Sequence, residues 1–318
     1  MATVNCVLGL INTDKLGFTL MHEHLMVSSG GIPQVYDRLL GDSYIEHIVQ
    51  ELKKAKAGGI DTIVDATTFD LGRDVTVMAE ASRRSGVNII AVTGWWLELP
   101  RFLREVSAEQ FADLFTREIE EGIAGTGIKA GLLKAASDID GVTPAEEQVL
   151  RGVARAHRRT GVSIMLHSYS PGQVGRQQIA ILQGEGVDLR RVKLDHSNDT
   201  TDVEYLTWLL AQGCYLGMDR YPGRNVSSQA RTRTMKALID AGWAHRLLPS
   251  HDYSLIWPKL EGLSKNSPMS PEERRRRNPH GYLYIKKVVF PQLKKLGVLE
   301  AVLNRLCVDG PKNFFEGK

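Results

Sequence analysis

Six residues whose side chains bind metal ions or transfer protons occur near the ends of short apolar runs in this chain. They are His22, His24, Lys134, His167, His196 and Asp252. The first two are two positions apart, so in a strand both imidazoles point to the same side and can reach one cation. Imidazole nitrogen and carboxylate oxygen suit Zn, Mn, Fe or Co better than Mg or Ca. The residue types therefore predict a transition-metal site.

Spacing alone leaves other interpretations open for single members of this set. His22 and His24 can also be a packed or surface pair, although two more histidines and an aspartate at strand ends argue against that for the whole set. Lys134 does not fit beside divalent cations, because they repel an ammonium group. It is therefore either a salt-bridged core lysine or a lysine converted covalently into a carboxylate.

The other histidines do not share this placement. His47, His157 and His245 fall in or beside helical stretches and are predicted to lie at the surface. His251 directly precedes Asp252 and is expected to point to the opposite side of its strand. We therefore predict that His251 packs or supports the site and does not bind metal.

Eight apolar runs alternate with stretches of helical period along the chain. The runs predict strands over 18–25, 61–68, 87–94, 130–137, 162–169, 191–198, 213–220 and 246–253. The helical stretches are 45–57, 75–84, 108–119, 144–159, 177–183, 203–210 and 229–241. Near-continuous runs of Val, Ile and Leu are typical of parallel strands covered on both faces. After the eighth run we expect a loop over 254–279, a helix over 282–296 and a terminal segment ending at 313–315.

This alternation favours the α/β class and a (β/α)8 TIM barrel, since eight strands close such a barrel. A doubly wound open sheet is the alternative, but no Gly-x-Gly-x-x-Gly turn follows the first run. No linker composition divides the chain, so residues 1–318 are predicted to form a single domain. The C-terminal ends of barrel strands meet at one mouth, where the six residues would face each other.

Composition limits the classes of function. The chain has 42% hydrophobic and 24% charged residues, as ordinary globular proteins do, and a net charge of +3 gives no reason to expect nucleic acid as a partner. The three cysteines are far apart, and no leader-like or membrane-spanning run is present, so a cytoplasmic location without a membrane partner is expected. The basic run 274–277 is interpreted as a solvated loop or helix start and not as a phosphate-binding patch.

Several motifs together resemble those of the phosphotriesterase-like family of the amidohydrolase superfamily. They are HEH at 22–24 after a lead-in at 14–18, IKAGLLKAASD at 128–138, HS at 167–168, HSNDT at 196–200 and HDY at 251–253. The resemblance covers nearly the whole chain, including TREIEEGIAGTG at 116–127. It implies a homodimeric barrel hydrolase with two divalent transition metal ions, Zn being the first expectation and Co, Mn or Fe the alternatives.

The resemblance also implies how the ions are divided among the ligands. His22, His24 and Asp252 would bind the more buried ion. His167 and His196 would bind the more exposed ion. The resemblance thereby accounts for five of the six residues at the strand ends.

Catalytic roles are implied for Asp252, Lys134, Asp199 and Arg220. Lys134, carboxylated by CO2, would bridge both ions together with a hydroxide that attacks the substrate, and Asp252 would take the proton. Asp199 matches a position of the family's proton relay, and a loop-capping aspartate is the alternative. Arg220 resembles the pattern of lactonase-type members, and a salt bridge to a neighbouring carboxylate is the alternative.

The predicted substrate pocket comprises Trp96, Glu98, Arg220, Tyr253 and Trp257. Trp96 is closer to the triesterases of the family than to its lactonases, and Glu98 brings a charge into a region that is usually apolar. The aromatic residues Tyr253 and Trp257 offer apolar surface for an acyl chain or an aromatic leaving group.

These observations predict a hydrolase of lactones or related carboxylic esters, a small-molecule substrate class, with organophosphate triesters as weak side substrates. A true phosphotriesterase of the aryldialkylphosphatase type is the alternative within the same class. A barrel that keeps its metals but only binds a ligand is a less favoured hypothesis, because Lys134 and Asp252 are both still present.

Overall fold

Parallel strands surrounded by helices form the centre of the computed structural model, which describes residues 2–97, 99–258 and 271–318. The strands are β1 (Thr3–Cys6), β2 (Gly9–Asn12), β3 (Thr19–Met26), β4 (Thr62–Asp65), β5 (Asn88–Gly94), β6 (Leu132–Ser137), β7 (Ile164–Ser168), β8 (Val192–Leu194), β9 (Tyr215–Met218), β10 (Leu247–Pro249) and β11 (Ser254–Ile256). β1 and β2 form an antiparallel hairpin. The others pair in parallel in the order β10-β9-β8-β7-β6-β5-β4-β3-β11. The predicted α/β barrel is confirmed.

Helices follow the strands and form the outer layer. They are α1 (Ile32–Val35), α2 (Tyr44–Ala57), α3 (Val75–Ser85), α4 (Ala108–Glu120), α5 (Pro144–Thr160), α6 (Gly175–Gly184), α7 (Val203–Ala211), α8 (Ser228–Asp240), α9 (Pro271–Arg277), α10 (Phe290–Lys295), α11 (Glu300–Asn304) and α12 (Gly310–Glu316). Single π-helical turns at Ile285–Val289 and Arg305–Asp309 lead into α10 and α12. The seven helices predicted between strands begin and end within two residues of the observed bounds.

Side chains alternate between the inside of the barrel and the helical layer along each strand. Leu132 in β6 and Met165 in β7 belong to a buried apolar cluster inside the barrel, whereas the intervening Leu133 packs towards the helices. Lys134 and His167 come two residues after these inner apolar positions. The inner face of the barrel is therefore apolar below and polar at the C-terminal ends of the strands.

Apolar residues from both termini cover the opposite end of the barrel. Val4 and Cys6 of the hairpin and Phe314 and Phe315 of α12 join the inner apolar cluster. The carbonyl of Phe314 also accepts a hydrogen bond from the hydroxyl of Ser163 at 3.2 Å. This packing fills the N-terminal end of the barrel and leaves the C-terminal end for the polar residues.

The predicted eighth strand is divided into two short strands, and this division closes the barrel. β10 pairs with β9, and β11 pairs with β3. Between them, the N–H of Asp252 donates to the carbonyl of His22 at 3.1 Å, and the N–H of His24 donates to the carbonyl of Tyr253 at 3.0 Å. The predicted loop over 254–279 is therefore wrong at two places, because it contains β11 and α9.

Burial corrects one prediction about the histidines. His157 is buried, with 6% of its surface exposed, and does not lie at the surface. It faces inward from α5, and its Nδ1 donates to the carbonyl of Val162 at 2.8 Å. His47 and His245 are exposed, as predicted.

All three cysteines are buried and free of disulfides. In the described ranges no helix combines the length and the apolar character that crossing a membrane requires.

Candidate metal centre

A cavity of about 740 Å³ opens at the C-terminal ends of the strands. All six residues singled out by the sequence line it: His22, His24, Lys134, His167, His196 and Asp252. Five of them are buried, and the Asp252 side chain is 22% exposed. Residues that are up to 230 positions apart in the sequence thus meet in one cavity, as the barrel geometry predicts.

The first group of donors comes from β3 and the turn after β10. Nε2 of His22 and Nε2 of His24 lie 3.4 and 3.2 Å from Oδ1 of Asp252. The other ring nitrogen of His24, Nδ1, is 2.8 Å from the hydroxyl of Thr67. The hydroxyl of Tyr282 donates to the His24 carbonyl at 2.7 Å. Two imidazole nitrogens and one carboxylate oxygen therefore face each other. Thr67 and Tyr282 fix the position of His24 on the side away from Asp252.

The second group consists of His167 and His196. Nδ1 of His167 and Nε2 of His196 face each other at 2.9 Å. The remaining ring nitrogens are near carboxylates: Nε2 of His167 is 3.5 Å from Asp138, and Nδ1 of His196 is 3.1 Å from Asp219. The indole Nε1 of Trp96 lies 3.4 Å from Nδ1 of His167. Each imidazole thus directs one nitrogen into the cavity and the other towards an acidic support.

Lys134 lines the same cavity as the two groups. Its Nζ is fully buried and donates to the carbonyl of Ala66 at 2.7 Å. Burial lowers the pKa of His24 and of His167, and the positive charge of Lys134 lowers both further. It opposes protonation of His22 as well. One buried lysine therefore influences residues of both histidine pairs.

A buried polar network that the sequence analysis missed supports His22 from inside the barrel. It consists of His22, Lys193, Asp195 and Asp219, all of them buried. Nδ1 of His22 is 3.1 Å from Oδ2 of Asp195 and 3.3 Å from Oδ2 of Asp219. Lys193 forms a close ion pair with Asp195 and lies 3.8 Å from Asp219. Burial opposes protonation of His22, but the carboxylates of Asp195, Asp252 and Asp219 raise its pKa to about 10.

The sequence contains a pattern from which this buried network could have been predicted. Lys193 and Asp195 are two positions apart in the sixth apolar run, and Asp219 ends the seventh. Charged residues at alternating positions of an otherwise apolar strand indicate a paired charge inside the barrel, because an unpaired one would be costly to bury.

Among the residues that the structure describes, two sets of donor atoms could hold a cation, since the atoms of each set lie within 4.8 Å of one another. One set is His22, His196 and Asp252, and the other is His22, Asp195 and Asp219. In the second set the ammonium group of Lys193 and Nδ1 of His22 already pair with the two carboxylates, so this set fits an ion-pair network better than a metal. The first set joins both histidine groups at the cavity and has the nitrogen and oxygen donors that transition metals prefer.

Arg220 connects the two predicted catalytic carboxylates. Its Nε donates to Oδ2 of Asp252 at 3.0 Å, and its NH1 donates to Oδ2 of Asp199 at 2.6 Å. Asp199 also accepts a bond from Arg231 at 2.7 Å. The salt-bridge interpretation of Arg220 therefore holds, and its partners lie in the site. Both carboxylate oxygens of Asp199 are bound by arginines, and the residue that caps α7 is Asp202.

Backbone strain occurs at two of the strand-end positions. His196 and Asp252 have φ values of 60° and 51°, in the left-handed region that side chains other than glycine rarely adopt. The sequence placed both residues inside strands, whereas β8 ends at Leu194 and β10 at Pro249. Such conformations persist where the surrounding structure enforces them and are common at functional sites.

Glu23, the central residue of the HEH motif, holds the closing segment of the barrel. Its Oε1 accepts from the hydroxyl of Ser250 at 2.7 Å and from Nδ1 of His251 at 2.5 Å. Its Oε2 accepts from the N–H of Tyr253 at 3.1 Å. Nε2 of His251 accepts from the N–H of Ile285 at 3.1 Å. His251 thus has both nitrogens engaged away from the first donor group.

The predicted substrate-pocket residues Trp96, Arg220, Tyr253 and Trp257 all line the cavity. Glu98 lies outside the described residues. Trp95, next to Trp96, is buried in the hydrophobic core. Of this indole pair, the structure therefore directs Trp96 to the site.

The fold and the site define a class of protein, an α/β barrel with a candidate metal centre at the carboxyl ends of its strands. The model of the phosphotriesterase family matches residues 2–315. A phosphotriesterase homology protein of Mycobacterium tuberculosis is 39% identical, over 99% of this chain and 98% of that protein. An aryldialkylphosphatase of Saccharolobus solfataricus is 35% identical, over 96% of both chains. The solved structure of the phosphotriesterase from Mycobacterium tuberculosis matches with a TM-score of 0.90 at 37% identity, over 99% of this chain and 98% of that one.

The chain therefore belongs to the phosphotriesterase family. The family and these relatives point to hydrolysis as the class of reaction.

Proposed function

We propose that this protein is a metal-dependent hydrolase of lactones or related carboxylic esters, with organophosphate triesters as weaker substrates. The observation that carries the proposal is the convergence of four imidazoles and one carboxylate in a single cavity. Four buried histidines and a lysine at one end of the barrel would be costly without a cation to bind. The donor set fits two transition metal ions, with Zn as the first choice and Co, Mn or Fe as alternatives.

His22, His24 and Asp252 would hold one ion, and His167 and His196 the other. This division follows the two groups of facing nitrogens. When bound, the ions would lower the pKa of a water molecule that attacks the substrate, and would polarise the substrate carbonyl.

Lys134 would join both ions as a carbamate. Burial lowers the pKa of its amine, which favours the neutral form that reacts with CO2. The ammonium group first releases one proton; the neutral nitrogen then bonds to the carbon of CO2 and releases a second proton to solvent, so a carbamate anion replaces the ammonium group. This change removes the repulsion between the lysine and the cations.

Asp252, oriented by Arg220, would accept the proton that the attacking water loses. Oδ1 of Asp252 faces the first histidine pair, and Arg220 holds Oδ2 at 3.0 Å, so the orientation of the carboxylate is fixed from both sides. Asp199, bound to the other side of the same guanidinium and lining the same cavity, would receive that proton on its way to solvent.

A true phosphotriesterase is the second candidate, and one contact favours it. The indole of Trp96 reaches His167 at 3.4 Å and occupies the part of the cavity next to the second donor group. An aromatic wall at that position suits the aryl leaving group of a phosphotriester. Arg220 lines the same cavity and binds two carboxylates, and its resemblance to the pattern of lactonase-type members favours the lactonase candidate.

A metal-reconstituted activity screen tests both candidates. We expect hydrolysis of γ-lactones and aryl esters that is lost on treatment with a chelator and restored by Co, Mn or Zn, with slower turnover of a dialkyl aryl phosphate. Faster turnover of the phosphate than of any lactone would select the second candidate. Metal-replete protein that hydrolyses none of the three classes would overturn the proposal.

The carbamate has its own test. Lys134→Ala should lose metal and activity, and added acetate or propionate should restore part of both, because a free carboxylate can occupy the same space. Lys134→Met is the matched control: it fills the cavity and should not be rescued. Equal metal content in wild type and both variants would contradict the bridging role.

A further inference from the structure

Asp219 is a buried carboxylate that contacts one histidine of each donor group. It follows β9 directly, and none of its surface is exposed. Its Oδ1 lies 3.1 Å from Nδ1 of His196, and its Oδ2 lies 3.3 Å from Nδ1 of His22. The two imidazoles therefore meet at the two oxygens of one carboxyl group, although one comes from β3 and the other from the segment after β8.

The other nitrogen of each of these imidazoles is directed to the cavity. Nε2 of His22 lies 3.4 Å from Oδ1 of Asp252, and Nε2 of His196 lies 2.9 Å from Nδ1 of His167. An imidazole nitrogen binds metal only without its proton, so a neutral ring that binds through Nε2 carries the proton on Nδ1. Asp219 stands where it can accept that proton's hydrogen bond from both rings. One carboxylate thus favours the metal-binding tautomer of a histidine in each group.

Asp219 also holds the backbone of His196. Its Oδ1 accepts a hydrogen bond from the N–H of His196 at 2.8 Å. The φ value of His196 is 60°, a left-handed conformation that persists only where neighbouring groups enforce it. The same oxygen therefore fixes both the ring and the backbone of this histidine. A displacement of Asp219 would move a donor of the second group.

Neighbours inside the barrel keep Asp219 in place. A Cβ at position 217 would overlap Oδ2 of Asp219 and Oδ1 of Asp195, so Gly217 leaves the room that both carboxylates need. Nζ of Lys193 lies 3.8 Å from Oδ2 of Asp219 and offsets its negative charge. In the part of the chain that the structure describes, the carboxylate of Asp195 pairs with Lys193 and His22 but with no histidine of the second group. Asp219 therefore differs from its neighbour in reaching both groups.

We propose that Asp219 is a positioning residue shared by both metal positions, so that occupation of one position strengthens binding at the other. The inference rests on the proposed function, which assigns His22 to one ion and His196 to the other. When an ion occupies Nε2 of either ring, the Nδ1–H becomes a stronger donor to the carboxylate. Asp219 is then fixed for the second histidine before the second ion arrives. Such a coupling between two sites is reciprocal, so the order of loading does not change it.

Three matched Asp→Asn variants test the inference by metal binding alone. Zn²⁺ would be titrated into the metal-free protein, with the bound ions counted by native mass spectrometry and both affinities measured by competition with a chelating dye. The ¹⁵N signals of the four histidines at the cavity identify which position each ion occupies. Asp219→Asn should weaken both ions by about 10- to 100-fold each, the usual effect of removing a supporting group.

The other two variants remove a carboxylate that supports one group. Asp195 lies behind His22, and Asp138 lies 3.5 Å from Nε2 of His167. Asp195→Asn should therefore weaken mainly the ion at the first group, and Asp138→Asn mainly the ion at the second. Loss of affinity for only one ion in Asp219→Asn would overturn the inference. Equal loss of both ions in all three variants would also overturn it, since removal of negative charge alone would then explain the effect.

A measurement on wild type does not depend on the folding of any variant. In protein that carries one Zn²⁺, the Nδ1–H signals of His22 and His196 should both differ from those of metal-free protein, because Asp219 joins the two rings. The Nδ1–H of His157, which donates to the Val162 carbonyl, is an internal reference and should not shift. If wild type forms only the two-ion species at substoichiometric Zn²⁺, the corresponding result is a one-ion species that appears in Asp219→Asn. A shift of one of the two signals alone in one-ion protein would contradict the shared role.

These measurements separate the inference from the proposed function, because they contain no substrate. Two ions whose binding depends jointly on Asp219, in a protein that hydrolyses no ester, lactone or phosphotriester, would support the inference and sink only the reaction. Metal-dependent hydrolysis by wild type, together with loss of a single ion in Asp219→Asn, would leave the proposed function intact and overturn the inference.

Discussion

Nδ1 of His22 lies 3.1 Å from Oδ2 of Asp195, deep inside the barrel, while its Nε2 faces Asp252 in the cavity. The histidine therefore links a buried ion-pair network to the candidate metal centre. A carboxylate behind a ligating imidazole fixes the tautomer that leaves the other nitrogen free to bind metal.

Asp195→Asn should weaken metal binding while the first donor group stays in place. We expect a loss of about 10- to 100-fold in affinity, the usual effect of removing such a supporting group. Competition with a chelating dye measures it. Asp113→Asn, an exposed substitution on α4, is the control and should bind metal as wild type does. Wild-type affinity in Asp195→Asn would show that the network has no influence on the metal.

Arg220→Met should reduce kcat and leave metal content unchanged. The guanidinium holds Asp252 and Asp199, and without it the carboxylates lose the orientation needed for proton transfer, a step that contributes about 100-fold or more in enzymes. Asp199→Asn, which removes only one of the two partners, should have a smaller effect. Steady-state rates with metal analysis distinguish the cases, and an unchanged kcat in Arg220→Met would contradict the assigned role.

Glu23→Gln should destabilise the closing segment of the barrel. The carboxylate accepts bonds from Ser250, His251 and Tyr253, and an amide cannot accept all of them. We expect the free energy of unfolding to fall by about 2–4 kcal/mol, as for a buried charge-assisted pair that loses one partner. Urea unfolding measures the change, with the exposed Glu46→Gln as a control that should stay near wild type. Equal stability of the two variants would argue against this account of closure.

His157 should make stability depend on pH. Burial lowers the pKa of His157 in the folded protein and outweighs the opposite effect of the Val162 carbonyl. In the unfolded chain the same histidine has a pKa of about 6.5. Below about pH 6.5 the unfolded chain binds a proton that the folded protein does not, so the free energy of unfolding falls as pH falls and is insensitive to this group above that pH.

His157→Gln should therefore flatten the dependence of unfolding free energy on pH below about pH 6.5. The free energy of unfolding in urea would be measured at several pH values for wild type and for the variant. The difference between the two isolates the contribution of His157 from that of the four histidines at the cavity. His245→Gln, an exposed substitution, should leave the slope unchanged. A slope equal to that of wild type in His157→Gln would mean that its pKa is not lowered by folding.

Local patterns were sufficient for much of the fold. The near-continuous apolar runs and the period of 3.6 between them predicted eight strands and seven helices, because burial on both faces of a parallel sheet selects continuous apolar runs. The same patterns failed at the eighth strand. Its division into β10 and β11 depends on hydrogen bonds to β3, which is more than 200 residues earlier in the chain.

The sequence by itself determined which side chains occupy the mouth of the barrel, since Lys134 and His167 must follow inner apolar positions at a spacing of two. Only the tertiary structure decided how they are supported. The left-handed backbone at His196 and Asp252, the carboxylates behind His22, and the arginines of α9 beside Trp257 all arise from contacts between distant segments. Spacing along a strand specifies the face on which a residue lies, but only the closed barrel specifies what stands opposite to it.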